Sequence, residues 1–233
     1  MYVSPLLPSS PLVSVTIPVW NGALHIGEAL ASVLAQAHPA LEVIVVDDGS
    51  TDGTVEAAQR VADGRCRILR QSRSGPAAAR NLGVAGSRGA LLAFLDADDV
   101  WMREKLALQM PALLNDPTLD MVFGHYVTIG DGNGAELADA ARPGYSLGTM
   151  LIRRERFLRV GPLSTRWRVG EFVDWYARAD EAGLRHAMLP AVVLGRRVHE
   201  ANLTGREREA RADYARIASD AARRRGRLHR QPS

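Results

Sequence analysis

The sequence predicts an α/β fold in which helices cover both faces of a mostly parallel β-sheet, giving three layers. Two observations support this fold class. Over residues 12–115, short apolar runs typical of buried strands alternate with segments whose apolar residues recur at helical spacing. The helical segments are also long enough to return the chain to the start of the next strand, as parallel pairing requires.

The elements follow one another in a regular order through this part of the chain. Apolar and β-branched residues predict four strands, at residues 12–19, 41–48, 66–70 and 90–97. Amphipathic patterns predict four helices, at residues 23–36, 53–62, 75–86 and 103–115. The second half is less regular, and it predicts a strand at 119–129, a helix at 170–183, two short strands within 184–199 and a long polar helix at 206–225.

The composition is that of an ordinary globular protein. Of the 233 residues, 46% are hydrophobic and 24% charged, and no apolar run approaches the roughly 20 residues that cross a membrane. The N-terminus lacks a basic region followed by an apolar stretch, so we expect a soluble, cytoplasmic protein without a secretion signal. We predict a flexible arm at residues 1–11, one domain at 12–202, and a C-terminal helix and basic tail at 203–233.

Charge and cysteine content exclude several classes of protein. The single cysteine, Cys66, excludes an intrachain disulfide and a cysteine-based zinc site. The net charge is only +3, and the basic excess is concentrated in the run RRRGRLHR, which starts at Arg223. We interpret this run as a solvated tail, so no nucleic-acid partner is expected, and a peripheral contact with anionic lipid is left open.

Polar side chains follow three of the first four predicted strands. Asn21 comes shortly after the first strand, Asp47 and Asp48 end the second, and a group of carboxylates that begins with Asp96 ends the fourth. Ligands of open parallel sheets bind outside the carboxyl ends of the strands. We therefore expect these side chains to gather at one edge of the sheet.

The stretch VDDGSTDGT, at residues 46–54, has two readings. Turn and capping chemistry explains Gly49 and the Ser50 to Asp52 segment well. It explains less well why Asp47 and Asp48 stand together at the strand end. A carboxylate there can accept hydrogen bonds from a uracil N3–H or a ribose hydroxyl, so nucleotide recognition is the alternative.

The stretch FLDADD, at residues 94–99, is the stronger signal. In an extended segment Asp96 and Asp98 point the same way, so they could share one hard cation through their oxygens. Mg²⁺ or Mn²⁺ held by one or two carboxylates usually completes its shell with water and substrate phosphates, which suggests a nucleoside diphosphate partner. We interpret Asp99 as a cap of the helix that follows from about Trp101.

Four ordered blocks of the sequence resemble the family 2 glycosyltransferases of the GT-A fold. They are VSVTIPVWNGALHIGEALASVLAQ, LEVIVVDDGSTDGT, SGPAAARNLGVAGSRG and ALLAFLDADDVW. The resemblance is strong over residues 12–114 and continues less closely to about residue 202. It implies a nucleotide-binding half at 12–114 and an acceptor half at 115–202, and an inverting transfer of a sugar from a nucleoside diphosphate donor, often a UDP-sugar.

The same resemblance implies roles for individual residues. Asp48 would read the base, Asp96 would contact the ribose or the metal shell, and Arg80 would lie close to these carboxylates. A divalent metal, Mn²⁺ or Mg²⁺, would be bound by Asp98 and by His199. The full donor side would be Pro18, Asn21, Asp47, Asp48, Arg80, Asp96 and Ala97, with Arg196 or Arg197 near the diphosphate.

The acceptor side departs from the pattern of the family. Members commonly carry a Glu-Asp pair at the start of a helix, and its Asp usually acts as the general base. Here the segment reads GEFVDW, so Glu171 is kept, Phe172 occupies the usual Asp position and Asp174 follows. Glu171 and Asp174 share one helix face, and either could deprotonate an acceptor hydroxyl; we favour Glu171 because it is nearer the helix start. Trp175 is expected in the core, with stacking on the acceptor beside Asp174 as the alternative.

Two other functions fit part of the sequence. LLAFLDADDV, with Asp96 as nucleophile and Asp98 as acid/base, matches a haloacid-dehalogenase-like phosphatase, with GDGNGAELADA as a late acidic motif. Only about 30 residues separate these motifs, too few for that fold. Alternatively, Phe172 favours a non-catalytic protein that binds a nucleotide sugar as a scaffold. A small molecule, a lipid-linked acceptor, a glycan and a peptide all remain open as acceptors.

Overall fold

The computed structural model describes residues 10–130, 140–198 and 207–228, with side chains of the last segment described over 212–225. It contains a mixed sheet with helices on both faces. The strands are β1 (Val13–Val19), β2 (Leu41–Asp47), β3 (Cys66–Arg70), β4 (Leu91–Phe94), β5 (Val100–Trp101), β6 (Met121–Ile129), β7 (Arg142–Gly144), β8 (Leu151–Arg153) and β9 (His186–Arg197). The helices are α1 (Ile26–Leu34), α2 (Thr54–Val61), α3 (Pro76–Ala85), α4 (Lys105–Asn115), α5 (Arg154–Val160), α6 (Glu171–Glu181) and α7 (Glu207–Leu228).

The sheet runs continuously through both predicted halves of the domain. Its order is β3-β2-β1-β4-β8-β6-β9-β5, and β7 adds to β6 beside this path. The first four strands are parallel to one another, β8 is antiparallel to β4 and β6, and β6 is parallel to β9. Every residue of β1 and β2 is buried, as expected for central strands covered on both faces.

The two faces of the sheet carry separate hydrophobic cores, which confirms the predicted three layers. Along β4, Leu91 and Ala93 join the core formed with α1, α2 and α4. Leu92 and Phe94 join the core formed with α3, α5 and α6. This alternation is the period-two pattern of a strand buried on both sides.

Three expectations from the sequence are wrong in detail. The helix predicted from about Trp101 begins instead at Lys105, because Val100 and Trp101 pair with β9 as a short strand. The two strands predicted within 184–199 form one strand, β9, whose register on β6 shifts twice and so lets it bend. The basic residues from Arg223 onward continue α7 as far as Leu228 rather than forming a tail.

Other expectations fall partly or wholly outside the described residues. These are most of the N-terminal arm, the late acidic motif, His199 and the end of the basic run. Among the helices that are described, none is both long and apolar enough to cross a membrane. Cys66 lies half-buried on the edge strand β3, where burial raises the pKa of its thiol to about 11, so this cysteine is unreactive at neutral pH.

Lys105, the only lysine of the chain, is fully buried at the start of α4. Its Nζ donates a hydrogen bond of 2.6 Å to Gln109 Oε1 and lies 4.8 Å from the centre of the Trp101 ring. Gln109 in turn donates to the carbonyl oxygen of Thr149 at 2.7 Å. Burial lowers the pKa of Lys105 well below its ordinary value, because water no longer stabilises the charged amine.

We expect the stability of the protein to rise with pH through this lysine. The folded-state pKa lies below the unfolded one, so between the two values the unfolded chain binds a proton that the folded chain does not. Stability should therefore be lost as pH falls, by about 1.4 kcal/mol per pH unit, and the effect should end above about pH 10.4. Above about pH 8.5 the raised pKa of the Cys66 thiol acts in the opposite direction, so the quantity to compare is the difference in the free energy of unfolding between wild type and Lys105→Met, which share Cys66. Urea unfolding at a series of pH values up to about 10.4 should show this difference changing in favour of the wild type with the slope given above.

The exposed Arg103→Met serves as the control, since it removes a nearby basic side chain from the surface and leaves the buried amine in place. A constant difference between wild type and Lys105→Met across the pH range would contradict burial of a neutral amine.

Candidate active site

The structure brings the predicted polar residues together at the carboxyl edge of β1, β2 and β4. Asn21 follows β1, Asp47 ends β2, and the turn at residues 96–99 follows β4. Pro18 of β1 lies opposite Val46 of β2, so the polar residues that follow these two parallel strands lie side by side. This edge is the expected location of a ligand site in such a sheet.

Asp47 and Asp48 are both buried and both bonded to their own chain. Asp47 accepts hydrogen bonds from the Ser50 N–H at 3.0 Å and from Arg70 Nε at 3.0 Å. Asp48 accepts from Gln71 Nε2 at 2.7 Å and from the N–H groups of residues 74 and 75 at 2.7 and 2.8 Å. Asp48 therefore fixes the loop that leads into α3, and its carboxylate lies directly after the end of β2.

Asn21 joins the loop after β1 to the loop after β2. Its φ of 48° is positive, a backbone conformation that Asn adopts more readily than most residues. Its Oδ1 accepts the Thr51 N–H at 2.9 Å, and its own N–H donates to Ser50 Oγ at 2.9 Å. The cluster of capping residues in VDDGSTDGT is thus also what ties the two loops together.

The sequence analysis missed a stacked pair of side chains beside these residues. Trp20 is 48% exposed, and the Arg73 guanidinium carbon lies 3.2 Å from the centre of its ring. Arg73 Nη1 also lies 3.8 Å from Asp48 Oδ2. One feature of the sequence could have indicated this pair. Trp20 comes directly after a buried strand and before Asn21, at the start of a loop, where a tryptophan is not needed for the core.

Arg80 is the centre of the site. It is 6% exposed, and it donates one hydrogen bond of 2.5 Å to Asp96 Oδ1 and another of 2.5 Å to Glu171 Oε1. Burial lowers the pKa of Arg80, but the charges of Asp96 and Glu171 outweigh this effect and raise it overall. A single guanidinium thus joins the carboxylate group after β4 to the first residue of α6.

The residues Asp96 to Asp99 form a turn, so the expectation of an extended segment is wrong. The Asp99 N–H donates to the Asp96 carbonyl oxygen at 3.1 Å, which closes the turn. Asp99 does not cap a helix; it accepts the backbone N–H of Arg197 at 2.9 Å. Ala97, at the tip of the turn, is half-buried against the core under α1.

Arg197 holds the turn from the β9 side. Its Nε donates to the Asp98 carbonyl oxygen at 3.0 Å, and its Nη2 donates to Glu28 Oε2 at 2.6 Å. Burial raises the pKa of Asp99 well above its ordinary value, and the charges of Asp96 and Asp98 raise it further. The Arg197 N–H and the charge of Arg196 oppose this effect but do not cancel it, so Asp99 holds a proton more tightly than an ordinary carboxyl does.

The oxygens of this turn suit a hard divalent cation. Within the described ranges, no three His, Cys, Asp or Glu side chains are grouped as metal ligands. Mg²⁺ and Mn²⁺ sites in proteins commonly use one or two carboxylates and take the remaining ligands from water and substrate phosphates. Asp98, beside the half-exposed Asp96, fits that chemistry. His199 lies outside the described residues.

The two acceptor-side carboxylates have different partners. Glu171 begins α6 and meets Arg80, as described. Asp174 is 5% exposed and accepts hydrogen bonds from Arg178 Nε at 3.0 Å and Arg224 Nη1 at 3.4 Å. Of these two carboxylates, only Glu171 is linked through Arg80 to Asp96 at the edge of the sheet.

The aromatic residues of α6 belong to a core rather than to an open surface. Trp175 is fully buried and donates its Nε1–H to the Gly161 carbonyl oxygen at 3.0 Å, so it has the expected core role and does not stack on an acceptor. The Phe172 ring lies 6.1 Å from the Trp175 ring and 6.2 Å from the Phe123 ring. Phe172 therefore packs into the aromatic core at the position where members of the family commonly carry an aspartate.

Comparison with known proteins agrees with this architecture. The sequence profile of Glycosyl transferase family 2 matches residues 14–170. Glycosyltransferase AglE of Haloferax volcanii is 32% identical over 195 residues, a match that covers 74% of this chain and 62% of that protein. The chain spans less than two thirds of the length of this relative, and 16% to 63% of the length of other curated glycosyltransferases.

Solved structures show the same fold. Mannosyltransferase PcManGT from Pyrobaculum calidifontis, in complex with GDP-Man and Mn²⁺, superposes with a TM-score of 0.75 at 24% identity, covering 91% of this chain and 64% of that chain. TarS 1-349 of S. aureus, in complex with UDP-GlcNAc, gives a TM-score of 0.70 at 21% identity, covering 83% and 60%. The predicted GT-A fold is thereby confirmed.

We expect Arg80→Met to destabilise the protein by about 3 kcal/mol, because it leaves the mostly buried Glu171 without its partner. Urea unfolding at pH 7 measures the loss. Adding Glu171→Gln to Arg80→Met should recover part of it, since the neutral amide costs less to bury. Arg65→Met, which removes an exposed pair with Asp63, should cost less than about 1 kcal/mol. Equal effects of the two arginine variants would contradict a buried bridge.

Proposed function

The chain belongs to glycosyl transferase family 2, and on that basis we propose that it transfers a sugar from a nucleoside diphosphate sugar to an acceptor hydroxyl. The observation that carries the proposal is the pairing of Arg80 with both Asp96 and Glu171, which links a donor-side carboxylate to an acceptor-side one. The glycosyltransferases that resemble the chain in sequence and fold support it. The proposed reaction inverts the configuration at the transferred carbon and depends on a divalent metal.

The donor side is proposed to bind the nucleotide at the ends of β1 and β2. Asp48 would accept a hydrogen bond from the base, with Asp47, Asn21 and Pro18 beside it. Trp20 offers a flat, half-exposed ring on which a base can stack, and its present partner Arg73 occupies the space over that ring. We propose a UDP-sugar as donor because a carboxylate acceptor suits the N3–H of uracil.

Asp98, with Asp96 beside it, is proposed to hold Mg²⁺ or Mn²⁺, and His199 is proposed as a further ligand. When bound, such an ion supplies charge neutralisation for the departing diphosphate, where electrostatic stabilisation is large. The chain's own contribution is to aim these oxygens outward: Arg197 fixes the turn through the Asp98 carbonyl, and Arg80 fixes Asp96. The presence of Mn²⁺ beside GDP-Man in the mannosyltransferase structure supports a metal in a protein of this fold.

The acceptor side is proposed to use Glu171 as the general base. The acceptor oxygen attacks the anomeric carbon from the face opposite the diphosphate, its proton passes to the Glu171 carboxylate, and the bond to the diphosphate oxygen breaks. Glu171 accepts this proton through an oxygen whose direction Arg80 fixes. Asp174 is the alternative base, but its two arginine partners make it the less favoured.

One observation favours a second candidate function. Phe172 replaces the residue that usually acts as base in the family, and its ring packs into an aromatic cluster. A protein that binds a nucleotide sugar without turning it over would tolerate that replacement. Both candidate functions use the same donor site, and they differ only in whether the sugar is transferred to an acceptor.

The donor site is tested by thermal shift with UDP-glucose, UDP-GlcNAc and GDP-mannose, each with and without Mn²⁺. We expect a Mn²⁺-dependent rise in Tm with one nucleotide class, because a ligand at 100 times its Kd adds about 2.7 kcal/mol of stability. Asp98→Ala should abolish the dependence on metal and leave the Tm of the free protein nearly unchanged. Asp116→Ala, at an exposed carboxylate far along the chain, is the control. An unaltered Mn²⁺ response in Asp98→Ala would refute the metal assignment.

Glu171→Gln separates the two candidate functions. The neutral amide cannot take a proton, so we expect donor binding within about threefold of wild type and a fall in transfer of at least about a hundredfold. Asp174→Asn, one turn along the same helix, should retain more activity. Release of nucleoside diphosphate across an acceptor panel is the measurement. Full activity in Glu171→Gln would move the base elsewhere, whereas donor binding without release in the wild type itself would favour the scaffold.

A further inference from the structure

The helix α7 lies against α6, beyond the part of the chain that the family profile matches, which ends at residue 170. Its buried residues, Asp213, Ile217 and Ala221, recur every four residues and form one face. Three groups of contacts join this face to α6 and to the loop before it. They fall just before α6, in its first turn and at its end.

The first contact is at the residue directly before Glu171. Gly170 has a φ of +82°, a conformation that favours glycine. A Cβ added there would come within 2.8 Å of Tyr214 Cε1 and 2.9 Å of Ile217 Cδ1, so two side chains of α7 press on this backbone. Asp213 Oδ2 also accepts the backbone N–H of Arg168 at 3.0 Å. The start of α6 is therefore held from the α7 side.

The second and third contacts use one arginine of the basic run. Arg224 donates from Nη1 to Asp174 Oδ1 at 3.4 Å and from Nε to Glu181 Oε2 at 2.8 Å. Its neighbours Arg223 and Arg225 are exposed. Arg224 thus bonds to α6 both in its first turn and at its last residue, while the adjacent arginines face solvent.

We propose that α7 is a positioning element of the active site, which fixes the backbone at Gly170 and so the direction in which Glu171 meets Arg80 and the acceptor. The inference rests on the proposed role of Glu171 in transfer. Glu171 is the first residue of α6, where few backbone hydrogen bonds of its own fix its orientation. The contacts of Ile217, Tyr214 and Arg224 supply that restraint. This role also accounts for Asp174, whose carboxylate serves as the attachment point of α7.

The test compares two single arginine variants of the full chain, Arg224→Ala and Arg225→Ala, which remove the same group from neighbouring positions. Donor turnover is measured as release of nucleoside diphosphate, with the nucleotide sugar and metal that the thermal-shift panel selects. We expect Arg224→Ala to lower kcat about tenfold with donor KM within twofold, since small misplacements of a catalytic group cost rate rather than donor binding. Arg225→Ala should match wild type. Ile217→Ala, which removes no charge, should act like Arg224→Ala.

Two further measurements distinguish positioning from a general loss of stability. Val33→Ala lies in the core on the opposite face of the sheet, and it should lower Tm while leaving kcat unchanged. Hydrogen exchange at residues 174–177 should accelerate in Arg224→Ala and not in Arg225→Ala, because the Asp174 N–H bonds to the Gly170 carbonyl at the start of α6. Equal kcat in both arginine variants, equal exchange, or a matching loss of kcat in Val33→Ala would each overturn the inference.

The exchange measurement needs no substrate. If the wild type releases no nucleoside diphosphate from any donor, the proposed function fails on its own. Acceleration confined to Arg224→Ala would then still support the restraint of α6 by α7, and its absence would overturn it.

Discussion

The arrangement of the candidate active site depends on one buried charged group, the guanidinium of Arg80. A buried arginine is tolerated only where carboxylates compensate for its lost hydration. Asp96 and Glu171 provide that compensation from elements far apart in the sequence, the turn after β4 and the start of α6. Neither element can move away without leaving an unpaired buried charge. The two sides of the site are therefore held at a fixed separation by electrostatics as well as by packing.

The placement of Arg80 can be traced back to the end of β2. Asp48 accepts the N–H groups of Ser74 and Gly75, and these bonds define where α3 begins. Arg80 follows on that helix, with small alanines around it that let α3 lie close to the sheet. The double aspartate thus organises the loop, the loop starts the helix, and the helix delivers the guanidinium. The hydrogen bonds of Asp48 that shape this loop therefore also determine where Arg80 lies in the site.

Sequence reasoning recovered the parts of the molecule that local pattern determines. Strands β1 to β4 and the gathering of aspartates at their ends follow from hydrophobic runs and parallel topology. The role of Asp99 was not recoverable, because the group that its carboxylate accepts, the N–H of Arg197, comes from β9. The different partners of Glu171 and Asp174 could not be predicted either. Helical spacing places both residues on one face, but Glu171 bonds to Arg80 of α3 and Asp174 bonds to Arg224 of α7. The stack of Trp20 and Arg73 joins two loops and leaves no periodic signal.

The solitary lysine in the core has a consequence for the exterior. All 28 other basic residues are arginines, so no side-chain amine faces solvent. The guanidinium groups stay protonated across the whole range in which proteins are handled, so the positive surface charge is constant between neutral and strongly alkaline solution. Reagents and enzymes that act on lysine find no side-chain target on the folded molecule. Reaction at Lys105 would report that the core had opened, which makes this residue an intrinsic probe of global unfolding.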